Sequence, residues 1–205
     1  MTKNSVGALI LAAGTSSRMG TPKQLLKLNH SSLLEWTIRH VLAYPFEDVL
    51  VVTGHEEEGV KSHVGVTSSR LRWITNEDYD KGQGTSFALG MKNLMNRTST
   101  VMVFLGDQPF IQKRTISAIH SKAIKYNQGQ DPFVLRPFYK ETPGHPVVWG
   151  NIDALPLSKI TDQGGRQLMK SVVQHSCEIE DPLITIDIDT PADYEKAKRM
   201  SHYLT

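Results

Sequence analysis

The sequence predicts an α/β fold: a doubly wound, mostly parallel sheet with helices on both faces. Three observations predict it. Short, continuous apolar runs of strand length recur along the chain; stretches of helical period lie between them; and turn residues with short connections mark the junctions. A strand covered by helices on both faces needs no polar alternation, so a continuous apolar run reads as a parallel strand.

Taken in order, Val6 to Ala12 is such a run and ends at Gly14. Ser32-Leu33-Leu34-Glu35 has capping-box spacing and opens a helix to about Ala43. Asp48 to Thr53 is a second strand, stopped by Gly54, and Leu71 to Thr75 a third. Thr85 to Leu94 reads as helix, with Phe87, Leu89, Met91 and Leu94 as its apolar residues. Thr100 to Leu105 is the clearest buried strand, carrying Gly106-Asp107 at its C-terminal end. From Gln112 to Tyr126, Ile116, Ile119, Ala123 and Ile124 share a helix face. Leu183 to Ile188 reads as a late strand, after which Thr190, Pro191 and Asp193 start the last helix. Asp131 to Gly165 is less periodic and richer in Pro and Gly, as an irregular subregion building a second binding site would be. With no repeat and no linker, residues 1–205 are expected to form one domain.

Bulk properties exclude several classes. A formal net charge of +2 is far from the concentrated basic face of a nucleic-acid binder. One cysteine, Cys177, rules out an intrachain disulfide and a Cys-based zinc cluster, and fits a reducing compartment. The N-terminal apolar run is too short for a membrane span and lacks a signal-peptide layout, so a cytoplasmic protein is expected.

In open α/β sheets, ligands bind where loops leave the carboxyl ends of strands. The first such loop is LAAGTSSRMGTPKQLL, Leu11 to Leu26. Its small residues, Ala12, Ala13 and Gly14 through Ser17, leave backbone N–H groups free to face an anion. Arg18 can grip pyrophosphate oxygens with parallel hydrogen bonds, and Lys23, stiffened by Pro22, can serve one phosphoryl group as a point charge. The pattern is neither a P-loop nor a dinucleotide fingerprint. A glycine loop with two solvated cations is the bland alternative.

LGDQP puts Asp107 at the tip of a buried strand, where a carboxylate is rigidly held and open on one side, as Mg²⁺ requires. Alone, it reads equally well as an Asx turn. In DIDTPAD, strand alternation places Asp187 and Asp189 on one side; Asp189, nearest the strand end, is the favoured metal ligand. Asp193 belongs to the helix cap. A Gly-x-Gly turn, Gly82 to Gly84, runs into a helix with Thr85 or Ser86 near its N-terminus, a place that favours anions; an ordinary capped turn is the alternative.

LAAGTSSRMGTPKQLL resembles the signature of MobA-like nucleotidyltransferases, which act in molybdenum-cofactor biosynthesis, and GDQP and DIDTP resemble that family's two metal-binding motifs. These three motifs span nearly the whole chain in the family's order. The resemblance implies a Rossmann-like sheet of the nucleotide-diphospho-sugar transferase type, a nucleotide-binding part at about residues 1–110 and an acceptor-binding part at about 130–190. It implies that the Leu11, Ala12, Ala13 and Gly14 backbone lies against the base, and that Arg18 and Lys23 hold phosphates. It further implies Mg²⁺ on Asp107 and Asp189, and contacts around the nucleotide from Thr53, Asn76, Gly82 and Ser86. Ala13 stands where the guanylyl-transferring branch usually has Gly, which resembles the CTP-using branch. PGHPVVW resembles the acceptor-side G-H-P segment, and TDQGGRQL the segment that follows it, with Thr161 and Gly165 where Gly and Ala are usual. His145 and Arg166 are therefore expected beside a molybdopterin-type acceptor; His145 reads equally as a buried loop histidine held by backbone. The expected reaction is Mg²⁺-dependent cytidylyl transfer from CTP to molybdopterin, serving a molybdenum hydroxylase such as the xanthine dehydrogenase of purine catabolism. A sugar- or polyol-phosphate cytidylyltransferase and a non-catalytic cofactor carrier are the rivals.

Overall fold

The computed structural model describes residues 5–14, 22–54, 57–127, 129–160 and 165–204. Its elements in chain order are β1 (Val6–Leu11), β2 (Lys27–Leu28), β3 (Ser31–Ser32), α1 (Leu33–Leu42), β4 (Asp48–Thr53), α2 (Glu57–Ser62), β5 (Leu71–Thr75) and α3 (Gln83–Leu94). Then follow β6 (Thr100–Leu105), α4 (Lys113–Ala123), β7 (Phe133–Tyr139), β8 (Thr142–Pro143), β9 (Val147–Gly150), α5 (Gly165–Met169), β10 (Val173–Glu178) and α6 (Pro191–Arg199).

The described residues build one eight-stranded sheet, ordered β10-β7-β9-β6-β1-β4-β5, with β8 paired on β7. Neighbours run parallel from β6 through β1 and β4 to β5, and again between β7 and β10. Within this sheet only β9, wedged between β6 and β7, and the short β8 run antiparallel to their neighbours; β2 and β3 pair antiparallel in a separate two-stranded sheet. The sheet is thus mostly parallel, as expected. Its inner strands are apolar along their whole length because both faces are covered: Ala8 and Ile10 of β1 join one core, Leu9 the other. Helix α3 sits close on β1, since a Cβ on Gly90 would lie 2.3 Å from Leu9 Cδ1.

The expected elements in the first 126 residues are present. Helix α1 is capped by Ser32 Oγ, which accepts from Glu35 N–H. Glu35 does not close a capping box; its carboxylate accepts from Arg39 Nη2 at 2.6 Å instead, a charge-assisted bond one turn along the helix. The last expected helix does have a full capping box, between Thr190 and Asp193. Two readings need correction. Leu183 to Ile188 is not a strand: Asp181 accepts from Leu183 N–H and starts a 3-10 turn over Pro182–Thr185, followed by unpaired extended chain. The stretch from Asp131 to Gly165 is not irregular, for it contributes β7 and β9 to the middle of the sheet. Among the described residues, no helix is long and apolar enough to cross a membrane.

Candidate functional site

A cavity of about 580 Å³ opens at the C-terminal ends of β1 and β6, lined by Leu11 and Leu105 from their last positions. Asp107 stands two residues past β6 and is almost fully buried. Lys23, in the 3-10 turn Lys23–Leu25 that follows the glycine loop, donates to Asp107 Oδ2 and to Asp189 Oδ1, the latter at 2.6 Å. Three residues far apart in the chain therefore meet at one point. Burial disfavours the Lys23 ammonium, but the Asp107 and Asp189 carboxylates more than offset it and hold its pKa above the ordinary lysine value. Lys23 is a fixed positive charge at neutral pH.

Asp187 also lines the cavity. Although it is not on a strand, the extended chain keeps the alternation: Asp187 and Asp189 face the cavity while Ile188 is buried beneath. Asp187 Oδ1 accepts from Gln108 Nε2. Burial, with the neighbouring charges of Asp107 and Asp189, pushes its carboxyl above the usual range. The α6 cap supports this wall directly, since Asp193 accepts from the backbone N–H groups of Thr190 and Asp189.

Two carboxylates sharing one cation fit what Mg²⁺ needs, one or two protein oxygens with substrate phosphates completing the shell. No group of three metal-binding side chains occurs among the described residues, and this ion does not require one.

The opposite wall comes from the later half of the chain. Gly144 is pressed against the 3-10 turn, where a Cβ would lie 2.7 Å from the Ile184 carbonyl oxygen. His145 N–H donates to that carbonyl, fixing the loop, and its Nδ1 stands 3.4 Å from Val103 O. Burial pushes the imidazole down to about 4, with the nearby Arg136 charge also lowering it, so His145 is neutral at pH 7. Arg166, on α5, lines the same wall, as does Trp149, which packs on Phe87.

Of the other expected residues, Leu11 lines the cavity, and Ala12 and Gly14 line a small adjoining pocket. Gln24 Nε2 donates to the carbonyls of Ala12 and Gly14 and so shapes the start of the loop, where Ala13 is buried. Arg18 lies outside the described residues. Thr53, Asn76 and Ser86 do not line the cavity. Thr53 Oγ1 donates to Ile74 O, and Asn76 Nδ2 to Thr85 Oγ1 and Ser86 Oγ, so these polar groups tie β4, β5 and α3 together. Gly82 caps α3 with φ 109°, a backbone that favours glycine, and delivers the next residue, Gln83, to the cavity. Sequence reasoning missed Gln83, Gln108 and Arg136. Gln108 was legible as the residue after Asp107; Arg136 sat in a segment not recognised as a strand.

A family model described as the MobA-like NTP transferase domain matches residues 8–178. The chain is 29% identical over 200 residues to the molybdenum cofactor cytidylyltransferase of Escherichia coli K12, covering 95% of this chain and 96% of that one. It is 26% identical to the purine catabolism protein PucB of Bacillus subtilis 168, covering 93% and 95%. A solved nucleotidyl transferase from Methanothermobacter superposes with a TM-score of 0.76 over 98% of this chain and all of that one; at 21% identity this speaks for the fold alone.

Proposed function

The chain belongs to the MobA-like NTP transferase family and is a nucleotidyltransferase; we propose that it transfers the cytidylyl group of CTP to the terminal phosphate of a molybdopterin-type acceptor. The observation that carries this reading is the meeting of Lys23, Asp107 and Asp189 at the mouth of β1 and β6. That cavity is closed on its far side by His145, Trp149 and Arg166. Likeness along almost the full length of the Escherichia coli cytidylyltransferase supports the acceptor, and Ala13 supports the base. The Bacillus subtilis relative supports a role in purine catabolism, with a xanthine-dehydrogenase-type hydroxylase as the client. The proposed division into a nucleotide part, residues 1–110, and an acceptor part, residues 130–190, has one crossing, for Asp187 and Asp189 of the later segment stand with Lys23 and Gln108 at the nucleotide end.

In the proposed reaction the acceptor phosphate attacks the α-phosphorus in line and pyrophosphate leaves. A phosphate monoester is already ionised near pH 7, so the chain need not supply a strong base; its work is alignment and charge neutralisation. Lys23 would hold an α-phosphoryl oxygen, and Arg18 the departing pyrophosphate. Asp107 and Asp189 would hold Mg²⁺, which supplies positive charge to the triphosphate oxygens when bound. Trp149 and Phe87, both almost fully buried, pack on each other behind the far wall and hold its shape.

The test is pyrophosphate release from each of the four nucleoside triphosphates, with molybdopterin or with sugar and polyol phosphates as acceptor. Release confined to CTP plus molybdopterin is expected. Equal or faster turnover with a sugar phosphate would replace the proposed acceptor.

A further inference from the structure

Beside His145 and Arg166, the acceptor wall carries a residue that belongs to none of the sequence motifs. Arg136 lies on β7, between the buried Leu135 and Pro137, and its side chain reaches the cavity. Its Nε is enclosed and has no hydrogen-bond partner. Arg166 lines the same cavity from α5. Burial, and then the Arg166 charge, lower the Arg136 pKa, which places the two guanidiniums within each other's field. Among the described residues, neither arginine takes part in an ion pair.

Arg136 is half-buried and Arg166 exposed at the cavity's edge; a half-buried guanidinium next to a second like charge, with a buried Nε–H that lacks an acceptor, is unfavourable. A bound oxyanion removes both penalties. The cavity's carboxylates are turned to other partners, Asp107 and Asp189 to Lys23 and Asp187 to Gln108, and none of them pairs with either arginine.

We infer that Arg136 and Arg166 form an oxyanion subsite that receives the phosphate monoester of the acceptor. Identifying that group as the acceptor's rests on the transferase reading; the anion subsite itself does not. The chemistry asks for such a site. A phosphate monoester must approach a triphosphate that is itself negative, and cations on the triphosphate side alone leave the incoming group unneutralised and unoriented. Two planar guanidiniums can hold several of its oxygens in a fixed direction, which a lysine's point charge does less well.

The probe is inorganic phosphate, followed by ³¹P NMR titration with and without saturating α,β-methylene-CTP and Mg²⁺ to fill the nucleotide side. Wild-type protein is expected to bind phosphate in both conditions. Binding should weaken about tenfold in Arg136→Gln and in Arg166→Gln, and less in Arg136→Lys. Affinity for the CTP analogue should stay unchanged in all three variants. Thermal unfolding checks that each variant is folded, and if Arg136→Gln is not, Arg136→Lys and Arg166→Gln decide the matter. Phosphate binding as tight in the folded variants as in wild type would overturn the subsite, and so would its absence in wild type. Failure of the analogue to bind wild type would count against the transferase reading, while the phosphate titration without nucleotide still decides the subsite.

Discussion

The two ends of the cavity differ in charge and in construction. At the strand tips of β1 and β6, three carboxylates gather around Lys23 and Gln108. On the wall built by β7, the G-H-P loop and α5, two arginines stand beside a neutral histidine. Each end is suited to one partner: the acidic end takes an anionic ligand with a divalent cation in between, whereas the basic end takes an anion directly. The proposed reaction takes its direction from this division, with nucleotide and metal assigned to the acidic end and the acceptor to the basic one.

The sharpest way to break this comparison is at the acidic end. Asp107→Asn is expected to lower pyrophosphate release about 10³-fold with the fold intact, as loss of a central electrostatic group does. Activity near wild type would remove Asp107 from the chemistry. Lys23→Met should cost about 10²-fold in kcat, read in the same assay. At the basic wall, Trp149→Ala should destabilise the protein by about 3–5 kcal/mol in a denaturant titration, because a buried indole leaves a cavity behind. Between the two, Thr190→Ala removes the α6 cap and should cost only about 1 kcal/mol. If the cap also positions Asp189, the apparent Mg²⁺ requirement rises with it.

His145 adds a pH test. Its folded pKa, about 4, lies below the ordinary 6.5. Between those values the unfolded chain takes up a proton that the folded protein refuses. The contribution of His145 is thus fully present above pH 6.5, is lost as pH falls through that window, and is spent by about pH 4. In His145→Gln, the fall of Tm across this window should be shallower than in wild type.

The two regions also differ in how much of them was legible in the sequence. Strands β1, β4 and β6 lie in the parallel part of the sheet, where covering on both faces produces unbroken apolar runs such as Val101 to Phe104. The far half offers no such signal. Strand β10 is an edge strand whose residues alternate between exposed and half-buried, so its sequence, VQHSCE, has no apolar face to read. Strand β7 carries Arg136, which lines the cavity, followed by a buried Pro137, and those two residues disguise it. Leu183 and Ile184 are apolar because they enter two different cores from a 3-10 turn, which mimics a strand over a short window. Asp107 was legible because motif and strand-end position pointed to the same residue, whereas Lys23 and Asp189 were legible from motif alone, the strand expected before Asp189 being absent. Arg136 was not, since only tertiary structure brings it to Arg166. Thr53, Asn76 and Ser86 show the converse, polar side chains whose hydrogen bonds join neighbouring elements, Thr53 to the Ile74 carbonyl and Asn76 to Thr85 and Ser86.

The most direct test of the account is calorimetric titration of CTP, GTP, ATP and UTP, with and without Mg²⁺, into wild-type protein and Asp107→Asn. Mg²⁺-dependent binding with CTP preferred is expected in wild type, with loss of the Mg²⁺ dependence in the variant. Preference for GTP, or CTP binding with the same Mg²⁺ dependence in both proteins, would contradict it.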